Sequence, residues 1–383
     1  FTETAFLFFT FYFLLFTCLS YAQTLAPGAP GKDAQWATAG KQAVGTAVSL
    51  DSKVWFTLAN GVMTEVYYPD VTAANVHLLQ FVVVNPKTKK VETEFADAVH
   101  QIKVLRPDSL SFQQINTAKS GDWKITKSYT TDTERDSILI DVRFETKNKN
   151  LDLYLYYDPS LGNSGMHDTG WNQNGTLLAT DENISSALIA TAPLSEMSNG
   201  FFQTSDGLEQ LKTNGKILNP YAKAGKGNLV QIAKVGSSGN NDGVFTVALG
   251  FGKTPQKALM TAQTSLKKGF VNLSNEFVKE WSAYIKTLRK VEPKYQAQFN
   301  MAAMILKAFE DKINRGANIA SLSKPWGAAQ NANEVGSSGY HAVWARDLYQ
   351  VATAFMALGD KPAANRALDF LFKIQQKPDG SFP

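Results

Sequence analysis

The sequence predicts a chain in two parts, a large antiparallel β-sandwich followed by an all-α region. Three observations predict it. Apolar side chains recur at every second position from about Val44 to Gly252, and after Thr254-Pro255 the spacing changes to threes and fours. The length, 383 residues, exceeds what one ordinary hydrophobic core serves. Composition agrees with a folded chain, at 44% apolar and 19% charged, and the formal charge of +4 is spread without a basic block. Nucleic acid and anionic lipid are therefore not expected partners.

The chain opens on the apolar run FLFFTFYFLLFTCLS, short of the roughly 20 residues a membrane-spanning helix needs. Ser20-Tyr21-Ala22 then places small residues at the two positions a signal peptidase requires, so residues 1–22 are expected to be a signal peptide cleaved before Gln23. The mature protein would be secreted or periplasmic, with no membrane segment left. Cys18, the single cysteine, falls inside this signal; Phe16 and Thr17 before it are bulky for a lipid-attachment site. A mature chain without cysteine has no disulfide and draws its stability from buried area.

Residues 23–253 form the expected sandwich, after a Pro/Gly/Ala lead-in. Ile138, Ile140, Val142 and Phe144 share one face while Asp141, Arg143 and Glu145 share the other, and Leu151, Leu153 and Leu155 repeat the alternation. Such strands have one wet face, which favours antiparallel sheets. Asn85-Pro-Lys-Thr88 and Lys119-Ser-Gly-Asp122 read as hairpin turns. Thr254 and Pro255 then supply a cap and a first helical residue, opening a helical linker over 254–290. Phe277, Trp281, Tyr284, Ile285 and Leu288 mark its amphipathic helix. Tyr295, Phe299, Ala302, Leu306 and Phe309 mark the next, which also carries Met301, Met304 and Ile305 and is expected to be buried nearly all round. Two more helices carry Leu348, Val351, Phe355 and Leu358, and then Ala364, Leu368, Leu371 and Phe372.

Between these helices runs ANIASLSKPWGAAQNANEVGSSGYHAVWARD, a long segment rich in Gly, Ser and Asn. Loops of this length are uncommon unless functional. It brings Trp326, Tyr340, His341 and Trp344 to a helix start beside Arg346 and Asp347. Aromatic faces can stack on the C–H face of a sugar, and a guanidinium–carboxylate pair can grip adjacent hydroxyls. A lone Arg-Asp pair would more often be a helix cap or a surface ion pair.

The Tyr340-x-x-x-Trp344-x-Arg346-Asp347 pattern and the preceding GANIASLSKPWG resemble glycoside hydrolase family 15, the glucoamylases and glucodextranases, in their bacterial branch. Ala345 departs from the Pro or Thr common there. The resemblance implies a super-β-sandwich, a helical linker and, over 291–383, the truncated start of an (α/α)6 barrel. It implies a secreted, exo-acting, inverting α-glucosidase that releases β-glucose from the non-reducing ends of α-glucans, this chain being an N-terminal part. Arg346 and Asp347 match the pair that binds the 4- and 6-hydroxyls of the terminal glucose, Tyr340 the aromatic beside the anomeric centre, and Trp344 a pocket tryptophan. Trp326 and His341 are candidate lining residues.

Inverting glycosidases need a protonated and an ionised carboxyl group, roughly 6.5–9.5 Å apart. The family's two glutamates lie well beyond the first helices, so no catalytic residue is expected in this chain and both are expected beyond Pro383. Glu310 reads as a solvated or salt-bridging residue of an early helix, and Glu334 as part of the pocket loop. No metal site is expected: His167-Asp168 has no second histidine at ligand spacing. No cofactor is expected, with calcium left open. Two alternatives stand beside the leading one: an (α/α)6 disaccharide phosphorylase, and a non-catalytic glucan-binding sandwich protein.

Overall fold

The alternating stretch resolves into two nine-stranded sheets in which every strand pair is antiparallel. The structure, a computed structural model, describes residues 24–236, 243–323, 331 and 339–382. The expected signal segment with Cys18, and also Trp326 and Glu334, lie outside the described residues. In spatial order the first sheet runs Ala43–Gly45, Trp55–Ala59, Val62–Tyr67, Leu78–Asn85, Asp152–Asp158, Leu229–Val235 and Leu194–Phe201, with two short strands attached. The second runs Lys223–Gly227, Asp168–Gln173, Thr176–Asp181, Ile184–Ala190, Gly243–Gly252, Ser137–Thr146, Trp123–Thr131, Phe112–Ala118 and Ala98–Val104. Both expected hairpin turns join consecutive strands, at 86–89 and 119–122. Two short helices, α1 (Glu94–Asp97) and α2 (Gly207–Asn214), interrupt the strands.

One core fills the space between the sheets. Phe56, Leu58, Phe81, Ile138, Ile140, Val142, Leu155 and Leu249 all belong to it, each 0% exposed. The strands Trp55–Ala59 and Val62–Tyr67 are buried along their whole length rather than alternately. Their second face is covered too, because Trp55 and Tyr67 pack with Trp36, Ile319 and Leu322 from outside the sheets. Period two is lost wherever both faces of a strand are dry.

Five helices follow: α3 (Pro255–Lys268), α4 (Phe270–Thr287), α5 (Pro293–Ala308), α6 (Ala345–Leu358) and α7 (Lys361–Phe370). Thr254 caps α3, its side chain accepting from Lys257 N at 3.2 Å, with Pro255 in the first turn. The helix lies against the second sheet, with Ala258 and Ala262 packed among Leu139, Leu178 and Ala248. Gly250 permits this approach, since a Cβ there would stand 2.5 Å from Ala262 N and 2.6 Å from Ala258 O.

The expectation for α5 is corrected. Only Asn300, Ala303, Met304 and Ala308 are buried, while Tyr295 is 52% exposed and Ala302 is also exposed. One side meets the sandwich, where Trp55 Nε1 donates to Ala308 O at 2.9 Å, and another meets α4 and α6. The remaining side, with Lys294, Tyr295, Gln298 and Ala302, is exposed. In α7 the buried positions are Ala363, Ala364 and Ala367, whereas the periodic Leu368, and Phe372 in the π-helical turn that follows, are exposed.

Candidate functional site

Residues 339–347 turn the chain into α6. Gly339–His341 forms one 3-10 turn, and Trp344 occupies the N-cap with extended backbone (φ −83°, ψ 130°) and no side-chain capping bond. Arg346 and Asp347 are then the second and third residues of the helix. A carboxylate in the first turn is favoured by the partial positive charge of the helix N-terminus. Arg346 Nε lies 3.5 Å from Asp347 Oδ1, with the two side chains 89% and 40% exposed. Tyr340 and Trp344 are each about half exposed. The segment thus presents two aromatic surfaces and an ion-paired guanidinium and carboxylate to solvent within eight residues.

The main chain beneath these groups is fastened on both sides. Ser321 N donates to Tyr340 O at 3.0 Å, and Gln375 Nε2 donates to Val343 O at 2.7 Å. His341, a candidate lining residue, is buried, and its Nε2 sits 3.0 Å from the Tyr67 hydroxyl of the sandwich.

Glu310 follows α5 and bridges to Asn318. It is salt-bridging, as one of its two expected roles had it, but buried rather than solvated. Its carboxylate accepts from Arg366 (2.6 and 2.8 Å), Arg315 (3.1 and 2.9 Å), Lys307 (2.7 Å) and Gly316 N (3.2 Å). Burial alone would raise its pKa, but hydrogen bonds and charge from Arg366 and Lys307 outweigh that and hold it at about 2. A carboxylate so held is a poor proton donor and a poor base. The group lines a cavity of about 290 Å³ between the sandwich, α4 and α7, a cavity that includes no residue of 339–347.

In the same junction Lys312 is buried over the Trp55 ring at 4.9 Å. It donates to Thr46 Oγ1 at 2.8 Å and Ser52 O at 2.5 Å, and burial lowers its pKa to about 7. Trp281 Nε1 donates to Thr46 O at 2.9 Å, and Glu280 accepts from Val48 N and Ser49 N at 3.1 Å each. No local pattern points to Tyr67, Lys312 or Glu280 at this seam, because each partner lies over 200 residues away. His167 and Asp168 do not approach each other as ligands: His167 meets Ser164, and buried Asp168 accepts from Leu161 N. No group of three metal-ligating residues is present among the described residues, and no described helix is long and apolar enough to cross a membrane.

Comparison with known proteins adds four findings. The family model for glucodextranase, domain N, matches residues 26–286, and that for glycosyl hydrolases family 15 matches residues 294–379. A glucoamylase of Clostridium sp. (strain G0005) is 37% identical over 365 residues, which are 94% of this chain and 51% of that protein. A crystal structure of bacterial glucoamylase complexed with acarbose superposes with a TM-score of 0.89 at 38% identity, over 94% of this chain and 53% of the other. The chain spans about half the length of these relatives.

Proposed function

The chain belongs to the glucodextranase domain N family, continued by a family 15 glycosyl hydrolase segment, and on that premise we propose that it is the sandwich and sugar-holding part of a glycoside hydrolase acting on α-glucans. The observation that carries this reading is the exposed Arg346–Asp347 pair in the first turn of α6, directly after the half-exposed Tyr340 and Trp344 in the chain. The bacterial glucoamylase that this chain resembles was solved with acarbose, which supports an oligosaccharide as ligand.

In this reading Asp347 and Arg346 bind paired hydroxyls of a terminal glucose, and Tyr340 and Trp344 pack on its ring. A 4-hydroxyl is free only at a non-reducing end, so recognition through it makes the enzyme exo-acting. Hydrolysis with inversion then needs a proton donor and a base flanking the bond. Glu310 is tied up by three cations, so we place both carboxyl groups outside residues 24–382, on further barrel segments of the kind that the relatives' additional length would supply. The helices α5 to α7 would be the first helices of that (α/α)6 barrel. Export is part of the proposal and rests on the apolar run before Gln23; mass spectrometry of a secreted form should find Gln23 first.

Asp347→Asn tests the pocket in a protein carrying the complete barrel. A charge-assisted bond to a sugar hydroxyl matters most in the transition state, so glucose release from maltotetraose should fall on the order of a hundredfold or more. The melting temperature should hold. Lost stability with specific activity retained would make Asp347 a structural residue and end this reading.

A further inference from the structure

The sugar-holding role leaves His341 without a task, although it stands between Tyr340 and Trp344 in the chain. It is 7% exposed, and its ring meets that of Tyr67 edge to face with centroids 5.0 Å apart. Its Nε2 lies 3.0 Å from the Tyr67 hydroxyl, a contact across 274 positions of sequence. Tyr67 ends a sandwich strand and is 0% exposed; burial pushes its pKa up, so the phenol stays protonated. A buried hydroxyl without a partner costs free energy, and phenylalanine would fill the same space without that cost. The hydroxyl at position 67 is explained by what it binds, and it binds the pocket segment.

The surroundings make this contact more than local packing. Val343 packs against the cluster of Trp55, Tyr67, Val71, Ile319 and Leu322, which joins the sandwich to this segment. Tyr340 and Trp344 themselves stand on a single 3-10 turn and an extended cap, before regular helix begins at Ala345. Apolar packing holds such a turn near a surface but sets its rotation weakly, whereas a hydrogen bond is directional. Side chains that stack on a ligand need placement to about half an ångström.

We propose that Tyr67 is a positioning residue for the sugar pocket, acting through His341 to set where Tyr340 and Trp344 stand. The pocket is then a joint product of the sandwich and the helical region, and the inference rests on the reading of 339–347 as a sugar site.

The test uses the full chain with Tyr67→Phe, His341→Gln and Arg346→Ala, in the complete protein where the barrel extends beyond these residues. Amide hydrogen exchange over 339–347 and maltotetraose affinity by calorimetry are both measured. Tyr67→Phe should speed exchange in that segment about fivefold to tenfold and weaken maltotetraose by a similar factor, the loss expected of one hydrogen bond. Exchange in the strand Trp55–Ala59 should stay unchanged. His341→Gln keeps a polar group facing Tyr67 and should retain more affinity than Tyr67→Phe. Arg346→Ala should abolish affinity while leaving exchange as in the parent. Unchanged exchange in Tyr67→Phe overturns the proposal, as does faster exchange with affinity intact. A parent that fails to bind maltotetraose overturns the pocket reading and this role with it, whereas a parent and a Tyr67→Phe variant that bind equally overturn only this role.

Discussion

The sandwich and the helical region solve burial differently. In the sandwich, each sheet gives one face to a shared core, and α3 or the 317–323 segment covers much of the second face. In the helical region, Tyr349, Met356, Leu368, Phe372 and Ile374 are all about half exposed or more. The first region has a shared inner core with both of its walls supplied by its own sheets; the second has one satisfied side, toward the sandwich, and one apolar side turned outward. A helix hairpin buries a stripe only when another helix lies on it, whereas a two-sheet sandwich supplies both partners itself.

The sharpest way to break this contrast is to truncate one phenylalanine in each region. Phe56→Ala, in the sheet core, should cost about 3–5 kcal/mol in a denaturant titration, the usual range for an unfilled aromatic site. Equal tolerance of Phe56→Ala and a surface change would show the sandwich to be loosely packed.

The junction should respond next. The pKa of Glu310 is depressed in the folded protein, so its contribution is complete above the ordinary value of 4.5 and disappears as pH falls toward about 2. Stability of the parent should therefore drop across that window, and Glu310→Gln should flatten the drop. At pH 7 the variant should lose roughly 3 kcal/mol, as expected when one partner leaves a buried charge cluster. A parent whose stability is flat from pH 5 to 2 would contradict the cluster.

Gly250→Ala sharpens the sandwich side of the contrast. The added methyl meets backbone atoms of α3, which cannot rotate away, so about 1–3 kcal/mol should be lost. Melting followed by circular dichroism measures it. Smallest of all, Phe372→Ala should stay within about 0.5 kcal/mol in this chain, since the ring is 56% exposed. A loss like that of Phe56→Ala would mean that the outward side of the helices is covered after all.

Much of this architecture is legible in the sequence. Alternation at 138–144 and 151–155 marked strands, and Thr254-Pro255 marked the change to helices, because local periodicity and capping are written in neighbouring residues. The aromatic and Arg-Asp pattern at 340–347 was legible for the same reason: its members lie within one turn and one helix start. What failed was burial that depends on a distant partner. The apolar circumference of α5 predicted a buried helix, yet the neighbours it meets cover only part of it.

Periodicity and motif alone show that a sandwich precedes helices and that one short segment carries side chains suited to a sugar. The assembled fold adds that His341 faces Tyr67, that Glu310 is closed by Lys307, Arg315 and Arg366, and that Lys312 is buried over Trp55. Strands and helix starts follow from contacts between near neighbours, whose order the chain fixes. The partners of His341 and Lys312 lie more than 200 residues away, and Arg366 reaches Glu310 from another helix; such contacts follow from how whole sheets and helices settle against one another, which no local pattern encodes.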